Sequence, residues 1–229
     1  KLLESGVKLE EISFERKVSI DDKYEAYDYT IYELTNALEV GDSIKMNFKQ
    51  SFTTQGFEEN NNNTSILYNG TFLRNQDFPS LGYNRKYELQ DAKEREAHHL
   101  PERRNKAKRN DPNELLLARS GSDADLIRFE MIVGTDQDQT AIAPGKLINQ
   151  WTSKHRNYFH YKMEQPMISF YSILSAQYKV RKNTWQATDT SDVDLEIYYH
   201  KGHEYNLDRM MKGMKATLDY CSTHFSPYP

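Results

Sequence analysis

Across residues 44–52 apolar and polar side chains alternate: Ile44, Met46, Phe48 and Phe52 fall on one side of an extended chain, with Lys45, Asn47, Lys49 and Ser51 on the other. A repeat of two residues is the period of a β-strand with one buried face, and it excludes an amphipathic helix over the same window. Similar patterns run through residues 24–34, through Ile66 and Tyr68 to Phe72, over Ile127, Phe129, Met131 and Val133, and across 193–199. With 16 Tyr and 10 Phe in 229 residues, the composition also suits pleated, half-buried surfaces better than an Ala/Leu-rich bundle. The chain therefore reads as mainly β.

Breakers and turn residues divide these strands. Gly41 tolerates positive φ and Asp42 bonds its own backbone, so 38–42 is a turn, and strands 24–34 and 44–52 are expected to form a hairpin or meander. The Asn run 60–63 reads as an exposed loop, and Ala143-Pro144-Gly145 as a turn ahead of Trp151. The longest strand is expected over 167–180, with Ile168, Phe170, Leu174, Ala176, Tyr178 and Val180 on one face and Tyr171 and Ile173 on the other. From Tyr87 to about Arg109 the composition turns to Glu, Lys, Arg, Ala and His. This is a charged insertion, about 87–112, in which Pro101 separates two short helices.

Near His200 the period changes. Leu207, Met211, Met214, Leu218 and Cys221 recur at spacings of four and three, the apolar stripe of a helix. Asn206 supplies its N-cap and Asp208 a favourable charge in the first turn. Cys221 reads as a small core hydrophobe on that stripe. The switch in period is the best domain boundary in the chain.

Composition excludes several classes of function. The 30 basic and 34 acidic residues give a formal charge of -4, which offers no general grip on nucleic acid or an anionic membrane. A single cysteine allows no intrachain disulfide and no multi-cysteine zinc site. No apolar run approaches the roughly 18 residues that span a bilayer, and no signal segment opens the chain. The start at Lys1-Leu2-Leu3 and the stop at Pro229 read as cuts from a longer protein. The triplets at Asn62, Asn63 and Asn69 match N-glycosylation acceptors, a match that arises often by chance.

Motifs for catalysis are incomplete. His203-Glu204 opens a zincin-like His-Glu-x-x-His, but Leu207 stands where the second histidine belongs, one helical turn on. His200 with His203, and His98 with His99, have no third ligand at informative spacing. His155 and His160 lie five residues apart, on opposite faces of a strand. The first two pairs read as surface histidines, and no shared metal is expected at His155 and His160. Arg103, Arg104, Lys106, Lys108 and Arg109 are interleaved with Glu94, Glu96, Glu102, Asp111 and Glu114, so they form a solvated face and not a nucleic-acid patch. There is no phosphate loop, no nucleophile elbow and no acidic calcium cluster. No catalytic and no metal-binding residue is assigned. Tyr158, Phe159, Tyr161, Phe170 and Tyr171 fit either a binding groove or an aromatic sandwich core.

The order of several short segments adds a family resemblance. Gly41-Asp42-Ser43, Gln55-Gly56-Phe57, Tyr68-Asn69-Gly70-Thr71-Phe72 and Phe78-Pro79-Ser80-Leu81-Gly82-Tyr83 are followed by Ala141-Ile142-Ala143-Pro144-Gly145. Arg156-Asn157-Tyr158-Phe159, Pro166-Met167 and Glu196-Ile197-Tyr198-Tyr199-His200 complete the series. The series resembles the N-terminal domain of bacterial aminopeptidase N-like (gluzincin) zinc metallopeptidases.

That resemblance implies a saddle-like β-sandwich over 1–199, with the charged insertion, and then a linker and first helix of a truncated thermolysin-like catalytic domain over 200–229. The Gly-x-Met-x-Asn strand and the zinc helix would follow beyond Pro229. It implies no cofactor in this stretch and zinc in the parent enzyme. The implied partners are the catalytic domain of the same polypeptide and a peptide substrate, with no nucleic acid. The nearest subgroup by resemblance couples the peptidase to a transporter-permease-like membrane region, which implies an extracytoplasmic, membrane-anchored parent and a soluble fragment. Where better-known members carry a Gln that holds the substrate amine, this chain has Asn69 and Gly70, the implied substrate-binding residues; Asn69 has a shorter reach than Gln, and a structural strand end is the alternative role. The acidic residue expected after the Phe-Pro pair is missing at Leu81-Gly82-Tyr83.

Three functions follow as expectations. A non-catalytic domain forming one wall of a peptidase cleft would leave the apolar face of the last helix bare or packed on a copy of itself. An extracytoplasmic β-sandwich binding module for a peptide, glycan or protein would show a concave exposed aromatic surface. A self-contained hydrolase would need a clustered nucleophile and base.

Overall fold

The computed structural model describes residues 6–24, 29–54, 65–79, 88–103, 110, 126–187 and 192–228. The architecture is mainly β, with several antiparallel sheets and one long C-terminal helix. The chain divides into two compact units, one of Lys1–Tyr68 with Arg74–Leu81, the other of Asn69–Leu73 with Gly82–Pro229.

The first unit holds β1 (Val7–Phe14), β2 (Val18–Tyr24), β3 (Tyr29–Leu34), β4 (Met46–Phe52) and the short β5 (Ile66–Leu67). β2 pairs antiparallel with β3, and β4 pairs with β1 from Val7↔Phe52 to Phe14↔Met46. The expected pairing of β3 with β4 is therefore not made. Turn chemistry at 38–42 is present, with Gly41 at φ 93 and the Asp42 N–H donating to the Glu39 carbonyl at 2.9 Å. But Arg16 holds Asp42 at 2.9 Å, so the connection runs back past the β1–β2 link and delivers β4 to β1. A bulge between Leu9 and Glu11 breaks the alternation of β1, which is why that strand escapes a period-two reading.

The second unit begins with β6 (Gly70–Arg74), whose residues through Leu73 belong to it, and α1 (Ala92–Ala97). It continues with β7 (Glu130–Asp136), β8 (Thr140–Ile142), β9 (Lys146–Ser153), β10 (Arg156–Lys162), β11 (Ser172–Ala176), β12 (Tyr178–Gln186) and β13 (Asp192–His200). β7, β10 and β9 form one sheet in that order; β6, β11 and β8 lie adjacent in another; β12 pairs with β13. Phe159 and Tyr161 from β10 pack with Phe129 against Ala141 of β8, a sandwich-like core between two sheets. The Tyr161 hydroxyl donates to the Ala141 carbonyl at 2.8 Å, so this buried phenol has its partner.

The strand expected over 167–180 is divided. Met167 makes only a bridge to Ile127, Ile168 and Phe170 are exposed, and the chain changes sheet at Gln177 between β11 and β12. The Gln177 amide donates to the Asp138 carboxylate, fixing the break. In the insertion, α1 is N-capped by Asp91, which accepts from Lys93 N and Glu94 N at 2.9 and 3.0 Å. The second helix expected after Pro101 falls largely outside the described residues, as do the Asn loop 60–63 and most of the basic run.

The C-terminal helix, α2 (Leu207–His224), lies on β12–β13: Met211 is buried with Trp185, Leu195 and Ile197, and Leu207, Met214 and Leu218 flank it. Its apolar stripe is thus covered by the protein's own sheet, and the expectation of a bare or self-paired face does not hold. Packing stops at Leu218. Cys221 is exposed, not core, and among the described residues the apolar packing of the helix extends from Leu207 to Leu218. Asn206 occupies the N-cap position at φ 67 but makes no side-chain cap; Asp208 instead pairs with Arg181 at 3.0 Å.

Candidate functional site

Asn69 sits in an exposed turn with Tyr68, and Gly70 opens β6 directly after it. Gly70 has a packing reason for being glycine. A Cβ there would lie 2.6 Å from the Ser175 carbonyl oxygen and 2.8 Å from Ala176 Cβ, both in β11. The neighbouring β11 is braced from behind: Ser175 pairs with the fully buried Ala141, and its hydroxyl donates to Gln139 Oε1 at 3.0 Å. Gly70 and the residues that support it therefore come from β6, β8 and β11 of one unit.

In the other unit, Phe78 and Pro79 follow a 3-10 turn, Asn75–Asp77. The buried Asp77 accepts from the Arg74 N–H at 2.6 Å, and its carbonyl accepts from Gln50 Nε2 at 2.8 Å. Leu81, Gly82 and Tyr83 lie outside the described residues.

The histidines are not gathered. His155 sits in the β9–β10 turn at φ 61, whereas His160 on β10 bonds Glu130 at 2.7 Å. His200 leans on the Tyr178 ring at 5.2 Å, and His203 faces Tyr205 at 6.2 Å. Glu204 accepts from the Gly202 N–H at 3.1 Å, which holds its carboxyl below the usual range. Among the described residues no group of three His, Cys, Asp or Glu side chains could hold a metal ion, so the residues here do not fit a zinc site. Among them, too, no helix is long and apolar enough to cross a membrane.

The aromatic residues serve several surfaces and not one groove. Phe159 and Tyr161 are core, Tyr171 packs on Phe129 at 4.9 Å, and Phe170 is exposed. Tyr158 stacks on Trp151 at 5.3 Å with planes 9° apart, its ring also lying over Gly134, where a Cβ would come within 3.0 Å of it.

Two polar centres escaped the sequence reading. Arg95 is buried and donates to the carbonyls of Pro101 (2.9 and 2.7 Å) and Leu89 (2.9 Å) while pairing with Glu88 at 3.3 Å. Glu196 receives Lys182 at 2.5 Å and the Tyr198 hydroxyl. Those two hydrogen bonds hold the Glu196 carboxyl down, whereas burial, and then Glu196 itself, push the Tyr198 phenol up. Nothing in a charged stretch or an alternating strand marks either centre, because both arise from partners brought together by folding.

Solved structures with a similar fold include M1 zinc metallopeptidases and an aminopeptidase. The chain matches the M1 zinc metallopeptidase of Deinococcus radiodurans at TM-score 0.58 and 12% identity, over 98% of this chain and 44% of that one. Its fold is one that M1 zinc metallopeptidases contain. Legionella pneumophila aminopeptidase A, solved with aspartic acid, matches at TM-score 0.57 and 10% identity, over 98% of this chain and 22% of that one. A mutant two-domain M1 zinc metallopeptidase bound to L-arginine matches at 0.56 and 12%, over 98% and 45%. The chain thus spans less than half the length of each of these structures. No protein-family model and no curated protein matches the sequence.

Proposed function

We propose that this chain is the non-catalytic N-terminal domain of an aminopeptidase-like zinc metallopeptidase, forming one wall of the peptide cleft and packing on a catalytic domain of the same polypeptide. The observation that carries this reading is the match over 98% of the chain to structures of which it spans only 22 to 45%. On this reading the boundary near His200 separates the β domain from the entry to the catalytic domain. Asn69 contacts the free amine of the substrate from its exposed turn, and Gly70 lets that turn lie close to β11. The parent would carry the zinc and would be anchored on the extracytoplasmic side of a bacterial membrane through a permease-like region.

Metal analysis and peptide-anilide hydrolysis on this chain and on its natural C-terminal extension test the reading. Zinc and turnover in the longer chain alone are the expected result. Stoichiometric zinc in residues 1–229 would overturn it.

One observation favours a second reading, a binding module. The Trp151–Tyr158 stack stands on the sheet β7–β10–β9, beside the exposed Ile132 and the edge strand β9, every residue of which is exposed. A soluble peptide or oligosaccharide that quenches Trp151 fluorescence, with inactivity of the longer chain, would favour it.

A further inference from the structure

Gly70 and Ala176 meet more closely than strand packing between larger residues allows. Any Cβ at residue 70 falls 2.6 Å from a backbone oxygen and 2.8 Å from Ala176 Cβ, distances that real Cβ atoms do not adopt. The Ser175 oxygen is the harder obstacle, since it belongs to backbone. Nor is β11 free to retreat, because Leu174, Ser175 and Ala176 pair with Ile142, Ala141 and Thr140, and Ala141 and Ala176 are both buried. Bulk added at this contact must therefore move β6 and not β11. Asn69 precedes Gly70 by one peptide unit, about 3.8 Å between Cα atoms, and moves with it.

We propose that Gly70 and Ala176 are positioning residues: their close contact sets the place of Asn69, and so the discrimination of substrates that carry a free amine from those that do not. The inference rests on the reading that Asn69 contacts that amine. A contact serving stability alone would let Asn69 shift without consequence for selectivity. A contact serving position would not, because a hydrogen bond to a charged amine weakens steeply once its donor and acceptor drift from optimal distance.

The test uses the full-length protein and two competitive probes, leucinamide and isocaproamide, which differs only in lacking the amine. The readout is the ratio of their inhibition constants against peptide-anilide turnover. Asn69→Ala is expected to cut the preference for leucinamide about tenfold, the worth of a charge-assisted hydrogen bond. Gly70→Ala is expected to cut it similarly, and Gly70→Ala with Ala176→Gly to recover part of it by removing one of the two contacts. Should Gly70→Ala fail to fold, Ala176→Val loads the same contact from the other strand and is expected to lower the ratio. Met211→Ala, which weakens a different part of the fold, is expected to leave the ratio unchanged. If Asn69→Ala lowers the preference while Gly70→Ala or Ala176→Val does not, the positioning role is overturned and the amine reading stands. If Asn69→Ala has no effect, the amine reading itself fails and this inference with it.

Discussion

The indole Nε1 of Trp185 donates to Asp219 Oδ1 at 2.7 Å, a bond from β12 to the C-terminal helix. Trp185 is buried, so its N–H has been taken from water and needs that acceptor. Asp219→Ala is expected to destabilise the protein by about 1–3 kcal/mol, the cost of stranding a buried donor. Asp219→Asn keeps an oxygen at the same place and is expected to cost less. Urea unfolding followed by Trp fluorescence measures both. Equal effects of the two substitutions would show that charge, and not the acceptor atom, holds the helix.

Met211 and Cys221 lie on one apolar stripe, yet only Met211 is buried. Met211→Ala is expected to cost about 2–5 kcal/mol by opening a cavity against Trp185, Leu195 and Ile197. Cys221→Ser is expected to stay within about 0.5 kcal/mol of the parent. Denaturant midpoints of the two variants decide whether burial continues past Leu218, since a large effect at Cys221 contradicts the helix packing described.

Arg95 organises the charged insertion locally, through carbonyls at Leu89 and Pro101 and the carboxylate of Glu88. Arg95→Met keeps much of the apolar stem but leaves those acceptors without their donor. Limited proteolysis is expected to cut faster within 88–103 while the melting temperature of the rest stays close to that of the parent, because sub-global opening need not unfold the core. An unchanged cleavage pattern would mean that the insertion is held by something other than this arginine.

Glu196 adds a pH dependence with a definite sign. Its hydrogen bonds from Lys182 and Tyr198 depress its folded pKa, so its stabilising contribution is fully present above the unfolded carboxylate value and is lost as pH falls through the folded one. The stability gap between the parent and Glu196→Gln is therefore expected to be widest near neutral pH and to close under acid, below about pH 4. Thermal melts of both proteins across that range measure the gap. A gap that widens as the solution is acidified reverses the argument.

Much of the strand content was legible before the structure. The alternation over 44–52 became β4, which starts two residues later at Met46, 193–199 became β13 extended by one residue at each end, and the stripe from Leu207 marked α2. Gly41 and Gly145 adopt positive φ where turns were read. Sheet changes were not legible: 167–180 alternates smoothly, and nothing at Gln177 marks the passage from one sheet to another. The candidate site was only half legible. Asn69 and Gly70 were singled out by resemblance, but the reason Gly70 must be glycine lies more than a hundred residues away, at Ser175 and Ala176.

By itself, the sequence determined what depends on near neighbours. Side-chain direction alternates along any extended chain and turns by a fixed angle along any helix, so strand and helix faces follow from spacing alone. Tertiary structure decided what depends on distant partners: β4 joins β1 and not β3, Arg95 is buried among carbonyls, and Cys221 is left in solvent at the end of a stripe that looks continuous. A period records which residues share a face. It does not record what that face meets, because the closeness of two strands and the pairing of a buried charge exist only once remote segments have come together.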